Sequence, residues 1–217
     1  MTGHPGGDHA GAGGIPAAVA IASGNPGKIR EIERLVASWG VELVTARDHP
    51  GGWPAPEETG QTYLENAREK ANAVAAALGI PALADDSGIE VDALGGAPGP
   101  RSARFAGPDA TEHENLVKLI EAVRPYPPEA RTARYRCVAV LAWPGSREAW
   151  AEGTCEGQLI TEPRGSGGFG YDPIFVPEGE DRTMAELAAE EKDRISHRGA
   201  ALRALEAGLR EGRMRWP

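Results

Sequence analysis

The sequence predicts an α/β fold, in which short apolar strands alternate with amphipathic helices around a common core. Residues 17–22 form a compact apolar run that leads directly into a helical stripe of apolar side chains. A second helical stripe over residues 62–78 precedes another apolar run at 82–84. Two segments of alternating polarity, 134–143 and 148–159, flank a Pro-Gly-Ser-Arg turn and predict an antiparallel hairpin.

The composition favours one folded unit. The chain has 217 residues, of which 41% are hydrophobic, enough for one large domain or two lobes that share a core. We predict a disordered, glycine-rich tail over residues 1–16 and a single α/β domain over 17–217. The tail lacks the features of a signal peptide, and no apolar run is long enough to span a membrane.

Charge and cysteine content restrict the class of function. The two cysteines, Cys137 and Cys155, fall in predicted strands, which suits a reduced, cytoplasmic protein. The net charge of −9 argues against a general binder of DNA or RNA, because such a protein needs a basic surface. An anionic substrate would therefore have to be held by a few local cations and a metal ion.

The first strand is followed by a glycine-rich turn, residues 23–28, at the start of a helix that is predicted to end at Gly40. Asn25 is a suitable N-cap and Pro26 a suitable first helical residue. Lys28 lies in the first helical turn, where positive charge is unfavourable unless an anion is nearby. Free backbone N–H groups and Lys28 would together bind a phosphate. An ordinary turn with a solvated lysine explains the same pattern.

The next predicted strand, 41–46, precedes a loop that contains Glu57-Glu58-Thr59-Gly60. Residues 62–65 have the spacing of a capping box and predict the start of a long helix. Asn66 and Lys70 share one face of this helix, and the pattern alone favours a solvated face.

Two adjacent carboxylates follow the apolar run 82–84. Asp85 and Asp86 come before Ser87-Gly88, which predict a turn into a second strand over residues 89–93. Two neighbouring carboxylates cannot both be buried without compensating charge. At the mouth of a cleft they would suit Mg²⁺ and an activated water, because Mg²⁺ takes hard oxygen ligands. For this stretch alone, a surface turn is the favoured interpretation.

The C-terminal half contains two further candidate site segments. Phe169 is a single aromatic residue among glycines, and it fits a flat ligand such as a base better than a core. A short helix is predicted to end near Glu191, with Lys192 just beyond it. Ser196-His197-Arg198-Gly199 opens the last helix, where cations are again unfavourable unless an anion or carbonyl is nearby.

These cations and acids lie at strand and helix ends, so we predict that they meet in one cleft beyond the sheet. The chemistry that they would support is Mg²⁺-dependent phosphoanhydride hydrolysis, in which a carboxylate activates water and cations stabilise the developing charge. No serine or cysteine has a nearby histidine-and-acid signature, which disfavours a covalent nucleophile.

Six motifs support a closer assignment. In order, they are Ser23-Gly24-Asn25-Pro26-Gly27-Lys28, Glu57-Glu58-Thr59-Gly60 with Asn66 and Lys70, Ala84-Asp85-Asp86-Ser87-Gly88, Leu94-Gly-Gly-Ala-Pro-Gly99, Gly168-Phe169-Gly170-Tyr171-Asp172-Pro173 and Ser196-His197-Arg198-Gly199. Over roughly residues 18–209 the sequence resembles the inosine triphosphate pyrophosphatase family, whose members hydrolyse ITP, dITP and XTP. Ser23 stands where many members have threonine, and the hydroxyl is kept.

The resemblance implies an elongated mixed sheet flanked by helices, with two lobes around a central cleft, usually in a homodimer. It implies hydrolysis of deaminated purine nucleoside triphosphates to the monophosphate and pyrophosphate, which removes them from the nucleotide pool. Asp86 would be the proton acceptor and a Mg²⁺ ligand, together with Glu57 or Glu58. Lys28 and Lys70 would act at the phosphates.

The resemblance also implies a set of substrate contacts. Residues 23–28 would hold the triphosphate, Phe169 would stack on the purine, and Lys192, His197 and Arg198 would read the base. The implied contacts are Ser23, Gly24, Asn25, Pro26, Gly27, Lys28, Ser87, Phe169, Gly170, Tyr171, Asp172, Lys192, His197 and Arg198.

Two other classes of protein remain as alternatives. A Maf-like pyrophosphatase would act on modified pyrimidine or guanine nucleotides, but the segments around Phe169 and His197 argue against it. A non-catalytic nucleotide-binding module would leave the Asp85-Asp86 pair unexplained.

Overall fold

The computed structural model describes residues 14–48, 60–145 and 147–212. The strands and helices in chain order are β1 (Ala18–Ile21), α1 (Pro26–Leu35), β2 (Glu42–Val44), α2 (Tyr63–Leu78), β3 (Ala82–Val91), α3 (Glu112–Val123), β4 (Thr132–Ala142), β5 (Glu148–Leu159), β6 (Phe175–Pro177), α4 (Ala189–Ile195) and α5 (His197–Arg210). The strands form one six-stranded sheet in the order β2-β1-β3-β4-β5-β6. β1 is parallel to β2 and β3, whereas the other pairs are antiparallel. The predicted mixed α/β fold is confirmed.

The sheet carries apolar clusters on both faces. On one face, α1 and α5 pack over β1, β3 and β4, and half-buried Ile15 joins this cluster. On the other face, α2 packs over the small side chains of the same strands. In a third cluster, α3 packs near Tyr135 of β4 and Phe175 of β6. Residues 1–13 of the predicted tail lie outside the described residues.

β3 is one continuous strand, so the predicted turn at Ser87-Gly88 is wrong. Every residue from Ala82 to Val91 pairs with β4, and this ladder outweighs the local turn preference of Asp-Ser-Gly. Gly88 also permits close packing, because a Cβ there would lie 2.3 Å from the carbonyl oxygen of Gly99. Since successive strand side chains alternate, Asp85 and Asp86 lie on opposite faces of the sheet.

Two helix boundaries also differ from the prediction. Lys192 lies inside α4 and not beyond a helix, because residues 187–188 are extended and the chain becomes helical again at Ala189. α1 ends at Leu35, and a short 3₁₀ helix follows before Gly40. The capping box at the start of α2 is formed as predicted, and α3 begins with another capping box. No helix in the described ranges has the length and apolar character needed to cross a membrane.

α5 packs so closely on β5 that Gly153 has no room for a side chain. A Cβ there would lie 2.2 Å from the carbonyl oxygen of His197 and 2.4 Å from the amide nitrogen of Ala201. We expect Gly153→Ala to lower the free energy of unfolding by about 2–3 kcal/mol, measured by urea denaturation. Thr154→Ala changes the exposed neighbouring position and should cost less than about 1 kcal/mol. Equal stability of the two variants would contradict this packing constraint.

Candidate active site

A cavity of about 500 Å³ opens between the helices that cover the two faces of β3. Its lining contains most of the predicted site residues: Ser23, Gly24, Asn25, Lys28, Lys70, Asp86, Ser87, Phe169, Gly170, Tyr171, Asp172, Lys192, His197 and Arg198. Pro26 and Gly27 begin α1 outside this lining, and a Cβ at Gly27 would lie 2.7 Å from Cδ1 of Phe169. Glu57 and Glu58 lie outside the described residues.

Asp86 faces α2, which presents two polar side chains to it. The Nδ2 of Asn66 donates a hydrogen bond to Oδ2 of Asp86 at 2.9 Å. Lys70, one helical turn later, places Nζ 3.5 Å from Oδ1 of the same carboxylate. Asn66 is fully buried. The interpretation of its helix face as solvated is therefore wrong, because the carboxylate provides the partner that a buried amide needs.

Asp85 faces the opposite side of the sheet and has its own cations. Arg198 places Nη2 2.8 Å from Oδ2 of Asp85, and Nζ of Lys28 lies 3.2 Å from the same oxygen. Burial by itself would raise the pKa of Asp85, but the guanidinium of Arg198 and the ammonium of Lys28 hold that pKa well below its usual range. The two adjacent acids are thus both buried, because each has compensating charge on its own face of the sheet.

The N-terminus of α1 is less open than the sequence suggests. The Oδ1 of Asn25 accepts hydrogen bonds from the backbone N–H groups of Gly27 and Lys28, at 2.7 and 3.1 Å. Asn25 is therefore the N-cap that the sequence predicts, and it satisfies two of the N–H groups at this helix start. The anion beside Lys28 is Asp85, a group of the protein itself.

Arg198 is the largest fully buried side chain of the described residues. Beyond Asp85, its guanidinium donates to Oγ of Ser87 at 2.8 Å and to a carboxylate oxygen of Glu31. Its Nε, Nη1 and Nη2 all have partners within the protein. The anions that offset its position at the start of α5 are thus two buried carboxylates.

Glu31 is a site residue that sequence reasoning missed. Its side chain is 5% exposed and joins Arg198 to Lys192, whose Nζ lies 2.7 Å from Oε1. Lys192 forms a second ion pair with Asp172. The available sequence signal was a glutamate next to Ile32, inside the apolar stripe of α1. That signal is weak, because it does not show which cations would meet the glutamate.

Asp172 connects the glycine-rich loop to the sheet. Its Oδ2 accepts the backbone N–H of Phe169 at 2.9 Å, and its Oδ1 accepts the hydroxyl of Tyr135 at 3.2 Å. Nζ of Lys192 lies 4.9 Å from the centroid of the Phe169 ring. The half-buried aromatic ring is therefore held next to a cation at the wall of the cavity.

His197 is buried in the same region and stacks on Tyr135, with ring centroids 4.5 Å apart and an interplanar angle of 9°. Burial and the neighbouring Arg198 and Lys192 lower the pKa of His197 well below its usual value. A neutral imidazole carries one donor and one acceptor nitrogen. Its Nδ1 has no hydrogen-bond partner among the described residues.

The described lining of the cavity has no excess of positive charge before any ligand binds. The four cationic side chains of the lining each pair with a buried carboxylate, through the contacts Lys28–Asp85, Lys70–Asp86, Lys192–Glu31, Lys192–Asp172, Arg198–Asp85 and Arg198–Glu31. Four carboxylates thus pair with four cations, and Glu112 adds a further acid to the lining. A polyanionic ligand would therefore bring charge that these cations alone do not offset.

Comparison with known proteins identifies the family. The model of the Ham1 family matches residues 19–207. A dITP/XTP pyrophosphatase of Thermus thermophilus is 51% identical over 195 residues, which cover 89% of this chain and 92% of the relative. The protein of the same name from Shigella flexneri is 47% identical over 196 residues, covering 89% and 98%. The structure of a HAM1 protein from Coxiella burnetii is 40% identical and superposes with a TM-score of 0.79, covering 90% of this chain and 100% of that chain. In agreement with the motif resemblance, this chain belongs to the Ham1 family.

Proposed function

We propose that this protein hydrolyses the deaminated purine nucleoside triphosphates dITP, XTP and ITP to the nucleoside monophosphate and pyrophosphate. The cavity carries the proposal, because Asp86 and Lys70 lie at one wall while Phe169 and His197 lie at another. The relatives named dITP/XTP pyrophosphatase share close to half of their residues with the chain. Membership of the Ham1 family favours this activity over that of a Maf-like pyrophosphatase.

Asp86 is proposed as the proton acceptor for the attacking water. Asn66 and Lys70 hold its carboxylate at the wall of the cavity, where it can orient a water molecule beside the phosphates. Lys70 and Lys28 stabilise the negative charge that grows on the phosphate oxygens. Ser23, Gly24 and Asn25 line the cavity next to Lys28 and are the proposed contacts of the triphosphate.

Mg²⁺ is the proposed cofactor, held by Asp86 together with Glu57 or Glu58. Within the described part of the chain, no group of three or more His, Cys, Asp or Glu side chains could hold a metal ion by itself. This donor set fits Mg²⁺, which binds through one or two carboxylates plus substrate phosphates and keeps several waters. When bound, the ion offsets phosphate charge. An added cation is favoured because every cation of the described lining is already paired with a carboxylate of the protein.

The base is proposed to bind against Phe169, with Ser87, Gly170, Tyr171 and Asp172 around it. Hypoxanthine and xanthine carry a carbonyl at position 6, where adenine has an amine. A group at that position, such as His197, Lys192 or a backbone N–H, would donate a hydrogen bond to the carbonyl oxygen. The same donor would face the amine of ATP, which is itself a donor. Each such mismatch costs about 1–3 kcal/mol. The guanidinium of Arg198 would support this wall, since its donors are engaged within the protein.

We further propose a cytoplasmic homodimer that binds nucleotides but neither a nucleic-acid polymer nor a membrane. The net charge of −9 argues against a surface that binds a nucleic-acid polymer. The two cysteines are free, buried thiols, which fits a reducing compartment. Residues 17–217 are proposed to form one domain.

A panel of nucleotides tests the proposed function. We expect release of pyrophosphate and monophosphate from ITP, dITP and XTP, with GTP a poorer substrate and ATP the poorest. Discrimination of ITP from ATP should be on the order of 10²–10⁴, because polar groups read the base. The measurement is kcat/KM with and without Mg²⁺. Binding of ITP without any turnover would instead indicate a non-catalytic module, and preference for modified pyrimidine nucleotides would indicate a Maf-like activity.

Asp86→Asn tests the catalytic role. The amide keeps the shape of the carboxylate but cannot accept the proton, so kcat should fall by about 10²–10⁴ while the melting temperature changes little. Asp92→Asn is the matched control, because this half-exposed acid follows the same strand and pairs with Arg134 away from the cavity. If Asp86→Asn retains most of the wild-type kcat, the proton acceptor is another residue.

A further inference from the structure

Asn66 is fully buried, yet it is not among the residues that line the cavity. Any effect of its side chain on the reaction must therefore pass through a neighbour. That neighbour is Asp86, whose Oδ2 accepts the amide N–H of Asn66 at 2.9 Å. Asn66 itself is fixed by its place in the first turns of α2, where its backbone N–H bonds to the carbonyl of the N-cap Thr62.

The helix places two groups on the two oxygens of one carboxylate. Asn66 and Lys70 are four residues apart on α2 and therefore lie on the same face of the helix. Asn66 contacts Oδ2 of Asp86, and Nζ of Lys70 lies 3.5 Å from Oδ1. This pair of contacts defines the rotation of the carboxylate about its own axis, so that each oxygen has a distinct environment.

Burial of the Asn66 amide carries a free-energy cost, so packing alone does not account for an asparagine at this position. Its Oδ1 has no hydrogen-bond partner among the described residues, and an unsatisfied buried acceptor costs about 1–3 kcal/mol. Gly60 lies directly against this oxygen, because a Cβ at Gly60 would be 2.5 Å from it. An apolar side chain of similar size would avoid this cost but would not hold Asp86.

We propose that Asn66 is a positioning residue, which holds Asp86 in the orientation that catalysis requires. The proposal rests on the proposed function of Asp86 and adds a residue to it. Asn66 donates to Oδ2 and leaves Oδ1 on the side of Lys70, at the wall where the phosphates are expected. A residue that orients a catalytic carboxylate contributes to kcat and not to substrate affinity.

Asn66→Ala should lower kcat for ITP by about 10–100-fold, the range typical of lost partners behind a site residue. KM should stay within about threefold of the wild-type value, because Asn66 does not touch the nucleotide. In an Asp86→Asn background the same change should cause little further loss, because Asn66 acts through Asp86. The measurements are steady-state kinetics of the four proteins with ITP and Mg²⁺, alongside their melting temperatures.

Two further variants separate positioning from stability. Asn72→Ala is the matched control on the same helix, since it removes an amide that donates to the carbonyl of Arg68 and to the carboxylate of Glu148, and not to Asp86. It should leave kcat near the wild-type value. Asn66→Ser leaves a smaller void, and it replaces Asn66→Ala in the kinetic measurements if that variant does not fold. Both Asn66 variants should lose a similar factor in kcat, even where their melting temperatures differ.

The outcomes are distinct. Wild-type-like kcat in a folded Asn66 variant overturns the inference, as does an Asn66→Ala effect that is equally large with and without the carboxylate of Asp86. A loss confined to KM also overturns it. If the wild-type protein hydrolyses none of ITP, dITP and XTP, the proposed function itself fails, which is separate from the role of Asn66.

Discussion

The pairing of buried Arg198 with Asp85 and Glu31 is the interaction on which the site depends. A buried guanidinium is tolerated only when carboxylates and hydrogen bonds replace its hydration. The partners of Arg198 come from β3 and α1, so one side chain joins α5 to both elements. Through Glu31 the network extends to Lys192, and through Lys192 to Asp172 in the glycine-rich loop. Five elements of the chain, namely α1, β3, the glycine-rich loop, α4 and α5, are thereby held around one cavity.

This network also explains why two adjacent acids serve different purposes. Strand alternation turns Asp85 into the buried ion network and Asp86 towards α2 and the cavity. The first acid is neutralised by Arg198 and Lys28, which makes it unsuited to accept a proton. The second is held by Asn66 and Lys70 and remains at the cavity wall. Asp86 is thus held in one orientation before any substrate binds, as its proposed role of proton acceptor requires.

Local sequence signals predicted much of the architecture. Alternation predicted the β4–β5 hairpin, and the caps at Asn25 and Thr62 marked the starts of α1 and α2. The prediction of a turn at Ser87-Gly88 was wrong, because the local turn preference of these residues does not show whether the segment pairs with a distant strand. That pairing adds a ladder of hydrogen bonds that the turn would forgo.

Local sequence patterns could not predict the ion network around Arg198. Glu31 and Arg198 are 167 positions apart in the sequence, and their pairing follows from how α1 and α5 pack on the same face of the sheet. The unfavourable placement of cations at the starts of α1 and α5 did indicate nearby anions. That signal could not distinguish a bound phosphate from a carboxylate of the protein. The helix face of Asn66 was interpreted as solvated for a similar reason, since its partner Asp86 lies 20 residues away on another element.

Buried carboxylates hold the cations of the site, and the unfolding free energy of Glu31→Gln is the measurement that tests this. The glutamine keeps the shape but turns an N–H group towards Arg198 or Lys192, so the unfolding free energy should fall by about 3–5 kcal/mol. Glu33→Gln on the same helix removes a half-exposed acid that pairs with Arg47 at the surface, and it should cost at most about 1 kcal/mol. Urea denaturation that gives Glu31→Gln the stability of the wild-type protein would contradict the account.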